Sequence, residues 1–146
     1  MTDDKHLSDH ASLLGLPSLS RATTGAEVSE RTATVIWDAL KAIDQPIFLW
    51  NVFPLHPHAP SDEMTNRLHT REEREASRPL LDWLLENLKP RRIIAIGRDA
   101  QNALSAMGIT CEIVEVRHPS YGGQREFTES IQRLYGYKSP QSDLFA

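Results

Sequence analysis

The sequence predicts an α/β fold, a three-layer α/β/α arrangement around a parallel sheet. Two observations carry this. Segments with apolar residues at helical spacing alternate with short continuous apolar runs, in the order α-β-α-β-α-β-α. That alternation is the mark of parallel strands joined by helical crossovers. Pro46, Pro90, Gly97 and Gly108 punctuate the segments where elements should stop or turn.

Taken in order, residues 1–29 show weak periodicity and many Ser, Thr, Asp and Gly, so mostly loop is expected, with a short helical turn near Leu13-Leu14. From Glu30, Ile36, Ala39, Leu40 and Ile43 recur at i, i+3, i+4, i+7, an amphipathic helix that Pro46 ends. Ile47–Val52 is a continuous apolar run suited to a strand buried on both faces. Residues 53–70 have no clear period, and a connection this long is commonly functional. Thr70 and Glu73 then form the two ends of a capping box. The helix that follows carries a core stripe of Leu80, Leu81, Leu84, Leu85 and Leu88 and closes before Pro90. Arg92–Ile96 is the second strand. Gly97 turns the chain into a helix bearing Ala100, Ala103, Leu104 and Met107, with Gly108 as its stop. Cys111–Val116 is the third strand, and Phe127, Ile131 and Leu134 mark a last helix. The domain expected from this pattern spans 30–137, with a flexible tail over 138–146.

At 146 residues the chain is long enough for one domain with its own core. Its 40% apolar and 25% charged composition is that of an ordinary globular protein. No apolar stretch reaches the length of a membrane span, and Met-Thr-Asp-Asp-Lys is too acidic to open a signal peptide. The single cysteine, Cys111, cannot form an internal disulfide, which points to a reducing cytoplasm. The net charge of −4 does not advertise a nucleic-acid binder, so local cations matter more. Lys89, Arg91 and Arg92 form one cluster; Arg67, Arg71 and Arg74 form another, read as solvated surface charge. Arg117 and Arg125 flank a polar loop around His118 and are the better candidates for phosphate contact.

Two apolar runs end abruptly in polar residues followed by proline: Phe48-Leu49-Trp50-Asn51-Val52-Phe53-Pro54-Leu55-His56-Pro57 and Val114-Glu115-Val116-Arg117-His118-Pro119-Ser120. Ligands of open parallel sheets bind at the carboxyl ends of the strands. An amide (Asn51) and an imidazole (His118) at that edge could read and polarise a flat polar ligand such as a nucleobase. Set against this, an Asn in such a place often caps a strand or bonds its own loop, and a lone loop His is usually a polar surface residue. His6, His10 and His69 are read that way.

These two strings, with Ile93-Ile94-Ala95-Ile96-Gly97-Arg98-Asp99-Ala100 between them, resemble the second and third motifs of the uracil-DNA glycosylase superfamily over Thr32 to Tyr135. The resemblance implies base excision repair: hydrolysis of the N-glycosidic bond of a uracil flipped out of DNA, without cofactor or metal, by a monomer. It implies that Asn51 makes a two-point contact with the base edge and that His118 is catalytic, donating to the oxygen of the departing base. Pro119 would fix the backbone, Ser120 would bond a phosphate, and Tyr121, freed by Gly122 and Gly123, would stand in the place of the wedge. Phe53 would pack against the flipped base or lie in the core. His56 and His58, with His69, Asp62 and Glu63, could suggest a metal site, but the spacing is unlike that of zinc ligands. An iron–sulfur cluster needs several thiolates, and the chain has one.

The family's first motif, a Gly-rich turn whose acidic or amide residue positions the attacking water, has no match in Met1 to Arg31. The resemblance implies four strands; three are expected here, the absent one being the strand that carries this motif. An N-terminally shortened glycosylase is the favoured expectation, with little or no excision from the chain as it stands. A catalytically weakened DNA-binding domain and a likeness of fold alone are the alternatives. Finally, Gln141-Ser142-Asp143-Leu144-Phe145 resembles the short tail by which bacterial repair proteins dock on the sliding clamp. Leu144 and Phe145 would be its apolar anchors and Gln141 its polar contact.

Overall fold

The structure, a computed structural model, describes residues 4–13, 15–20, 31–63, 65, 67–105 and 107–137. The chain forms two compact units, Met1–Ile47 with Val116–Ala146, and Phe48–Glu115.

The first unit is helical. Helix α1 (Asp4–Leu13) packs on α2 (Arg31–Lys41), and α2 packs on α5 (Gln124–Tyr135). Of the α2 stripe read from the sequence, Ala39 is buried while Ile36 and Leu40 are half-buried, and the face that meets the core also includes Ala33 and Trp37; α5 buries Phe127 and Ile131 as its spacing predicts. Ile43, just past the end of α2, is also buried. Gly136 closes α5 in the left-handed region, its N–H donating to the Gln132 carbonyl at 2.8 Å. Helix α1 replaces the loop expected over most of residues 4–13. Its Ala11 is buried and Asp9 pairs with Lys41 at 2.6 Å. Weak intrinsic periodicity is thus overridden by docking on α2, which stabilises a segment too short to hold helix alone.

The second unit holds α3 (Arg71–Leu88), β1 (Arg92–Ile96), α4 (Arg98–Ser105) and β2 (Glu112–Val116), whose last residue belongs to the first unit. The two strands pair in a short parallel sheet with α4 as the crossover packed on β1. This is an α/β fold, with two strands among the described residues where three were expected. Ala95 is the buried centre of β1, and Arg92 pairs with Glu112 at 2.7 Å where the two strands begin. Gly97, at φ 83°, makes the turn from strand to helix that a side chain would resist.

Ile47–Val52 is not a strand. Phe48, Leu49, Trp50 and Asn51 are exposed, and the rings of Phe48 and Trp50 stack on each other at 6.3 Å. An apolar run fits a buried strand but does not encode a neighbour to pair with, and this run finds its contact within itself. The leucine stripe of α3 is also less buried than its periodicity predicts. Leu84 is buried, Leu81 and Leu85 are half-buried, and Leu80 and Leu88 are exposed. The capping box is formed as expected: Glu73 N–H donates to Thr70 Oγ1 at 3.2 Å, and Thr70 N–H donates to the Glu73 carboxylate at 2.7 Å. No helix among the described residues is long and apolar enough to cross a membrane.

Candidate functional site

In the first unit the chain leaves β2 at buried Val116 and enters a tight loop ending at α5. Pro119 is buried and restricts His118 to an extended backbone. Gly123 N–H donates to the Ser120 carbonyl at 3.0 Å, with Tyr121 at φ 49° and Gly122 at φ 80° between them. Two successive positive φ values are the type I′ pattern, which favours Gly, Asn or Asp at both central positions. A tyrosine in the first of them stores strain, and the residue is 98% exposed. Gly123 is required for a different reason. A β-carbon there would collide with the His118 carbonyl oxygen and lie 2.9 Å from Cγ of Arg117.

This turn orients the imidazole. The backbone N–H of Ser120 donates to His118 Nδ1 at 3.2 Å, and Ser120 Oγ lies 2.7 Å from the same nitrogen. A backbone N–H can only donate, so Nδ1 is an acceptor, and the proton of the neutral ring sits on Nε2. The Ser120 hydroxyl then donates to Nδ1 as well. Ser120 in this geometry orients the ring. Arg117 extends over Gly123 with no carboxylate partner among the described residues, whereas Arg125 is held by Glu129 at 2.7 Å. Glu129 raises the Arg125 pKa above its ordinary value, first by that hydrogen bond and then by its charge.

In the second unit Asn51 is exposed, and its carboxamide bonds no other group among the described residues. Phe53, two residues on, is half-buried and stacks on His69 at 5.8 Å, so one ring face is covered. His56 and His58 stack on each other at 6.0 Å, and His58 Nδ1 bonds the Ala59 carbonyl at 2.9 Å. The long connection is tied down by Arg67, a residue whose sequence context suggests only solvated charge. Its guanidinium grips both carboxylate oxygens of Glu73 at 2.9 and 2.6 Å, and its Nε donates to the His58 carbonyl at 3.1 Å. Arg67 and the Thr70 N–H together hold the Glu73 carboxyl down at about 2.

The same unit contains a cleft of about 260 Å³ between α3 and α4 that sequence reasoning missed. Arg71, Arg74 and Arg78 line it with Asn102 and Val52, the neighbour of Asn51. The signal was present in the sequence, since positions i, i+3 and i+7 share one helical face. A larger cleft of about 540 Å³ at the end of α5, lined by Glu129, Gln132, Arg133, Gly136 and Tyr137, contains none of the expected site residues. Gln141, Leu144 and Phe145 lie outside the described residues.

Compared with known protein families, residues 15–135 match the Uracil DNA glycosylase superfamily. No curated protein and no solved structure matches the chain.

Proposed function

The chain belongs to the uracil-DNA glycosylase superfamily, and on that premise we propose that it recognises uracil in DNA for base excision repair, its chemistry being hydrolysis of the N-glycosidic bond. The observation that carries this is the seating of His118. Bond cleavage leaves negative charge on the departing base, and a donor fixed before reaction stabilises that charge without reorganising. With Nδ1 occupied by Ser120, Nε2–H is that donor. Asn51 supplies a carbonyl and an amine side by side, matching the N–H and carbonyl of a uracil edge. Tyr121 fills the place left in the stack when the base is flipped, and its strained, exposed position supports that role. Ser120 acts through His118, while Arg117 and, once released from Glu129, Arg125 meet phosphates. The protein works as a monomer in the cytoplasm, where Cys111 stays reduced.

Single-turnover excision from a uracil-containing duplex tests the reading. His118→Ala should slow the chemical step by about 3–4 kcal/mol, the typical cost of one lost preorganised donor, with a smaller loss of DNA affinity. Asn51→Ala should remove the preference for uracil over thymine. Unchanged excision in His118→Ala would sink its assigned role. A second reading is a DNA-binding module of this fold without catalysis, favoured by one feature: the sequence Met1–Arg31 has no match to the family's Gly-rich, water-positioning motif. It is told apart by uracil-selective binding with no excision.

The tail supports docking on the bacterial sliding clamp, with Leu144 and Phe145 entering an apolar pocket and Gln141 as the polar contact. Affinity should be micromolar, about −8 kcal/mol. Calorimetry with the Leu144→Ala, Phe145→Ala double variant should find no binding while the parent binds; equal binding by both would refute it.

A further inference from the structure

The cleft between α3 and α4 has a composition that neither His118 nor Asn51 explains. Arg71, Arg74 and Arg78 line it from successive turns of α3, which advances about 1.5 Å per residue, so the row runs along roughly 10 Å of helix. Arg71 is tied to Glu75 at 2.7 Å, and Arg78 stands 3.6 Å from Asp82. Arg74 is half-buried and has no carboxylate partner among the described residues. Of the residues lining the cleft, three are cationic and one, Glu75, is anionic. Asn102 adds a neutral donor from α4, and Val52, Leu81, Ala103 and Met107 supply apolar wall.

A guanidinium in the wall of a cleft with no carboxylate of its own among the described residues is available to an anionic ligand. A row of planar forks matches a chain of anions better than a single ion, and guanidinium forks suit phosphate geometry. Apolar walls beside the cations suit the sugar of a nucleotide. No aromatic ring lines the cleft, so it offers no platform for stacking a base. Val52, in the wall of the cleft, is the chain neighbour of Asn51.

From these features we infer that the cleft holds the sugar–phosphate backbone of a DNA strand, with Arg74 as the principal phosphate contact, beside the nucleotide whose base Asn51 reads. The inference rests on the proposed function for the identity of the strand, but the binding site itself is a separate claim. It turns part of a cluster that looks like solvated charge in the sequence into a track for the substrate.

The test is the salt dependence of binding to a fluorescein-labelled duplex carrying one uracil, and to its thymine counterpart, by anisotropy between about 50 and 200 mM salt. Losing one phosphate contact lowers the slope of log K against log salt by about 1. Arg74→Ala should show that loss on both duplexes, Arg74→Lys should keep the slope with weaker binding, and Arg133→Ala should leave it unchanged. Thermal melts by circular dichroism establish that the variants fold. A parental slope in folded Arg74→Ala overturns the inference, as does an equal loss in Arg133→Ala, which would indicate overall charge alone. Should Arg74→Ala fail to fold, the charge-removing Arg74→Gln takes its place: a slope reduced by about 1 supports the inference and a parental one overturns it. Equal binding of uracil and thymine duplexes would defeat the proposed base recognition while leaving the Arg74 result standing.

Discussion

Of the eleven apolar residues buried among the described residues, eight lie in the unit that carries His118 and three in the unit that carries Asn51. Exposure runs the other way. Phe48, Leu49, Trp50, Leu55, Leu68, Leu80, Trp83 and Leu88, all in the Asn51 unit, are eight of the ten large apolar residues left open among those described. The His118 loop is thus anchored in a packed helical unit, with its ring oriented by Ser120 and its backbone closed against Gly123. Asn51 stands on an open segment with no fixed partner. A group that must be preorganised gains from the first setting. A group that closes on a ligand can tolerate the second, because segments with few buried contacts open at low cost.

The largest test of this contrast compares Phe127→Ala with Trp83→Ala. Phe127 is 2% exposed and Trp83 57%, so urea unfolding should show a loss of about 3–5 kcal/mol for the first and within about 0.5 kcal/mol for the second. Similar losses would break the comparison. Next in size is Gly123→Ala, where the added carbon has nowhere to go. Overpacking of this kind costs about 1–3 kcal/mol, and the same variant should lose uracil excision or binding as the His118 ring shifts. Tyr121→Gly should act in the opposite sense on stability, gaining about 1 kcal/mol by releasing a left-handed tyrosine, yet weaken binding to duplex DNA. A variant that is both more stable and better at binding would remove Tyr121 from the site.

The smallest effect concerns Glu73 in the Asn51 unit. Its folded-state value of about 2 lies below the ordinary 4.5, so the contribution it makes is fully present above pH 4.5 and is lost as pH falls toward 2. Denaturation midpoints followed across that window should decline less steeply in Glu73→Gln than in the parent. Identical pH profiles would mean that the Arg67–Glu73 clasp has no role in holding the connection before α3.

Local chemistry was legible in the sequence. The Thr70–Glu73 capping box, β1 over Arg92–Ile96, the turn at Gly97 and the buried Phe127–Ile131 face of α5 each depend on residues within a few positions of one another, and such interactions read directly from spacing. The motif strings around Asn51 and His118 were also legible, as was the family to which they belong. What tertiary structure alone decided depends on partners distant in the chain. Ile47–Val52 has the composition of a strand but no strand to pair with among the described residues, and α1 has a weak pattern but a surface on α2 to dock against. Arg71 and Arg74 read as solvated charge until Arg78, Asn102 and Val52 line the same cleft with them. The tautomer of His118 needed the backbone N–H of Ser120 aimed at its ring. Spacing along a chain records which residues share a face; only the folded backbone determines what that face meets.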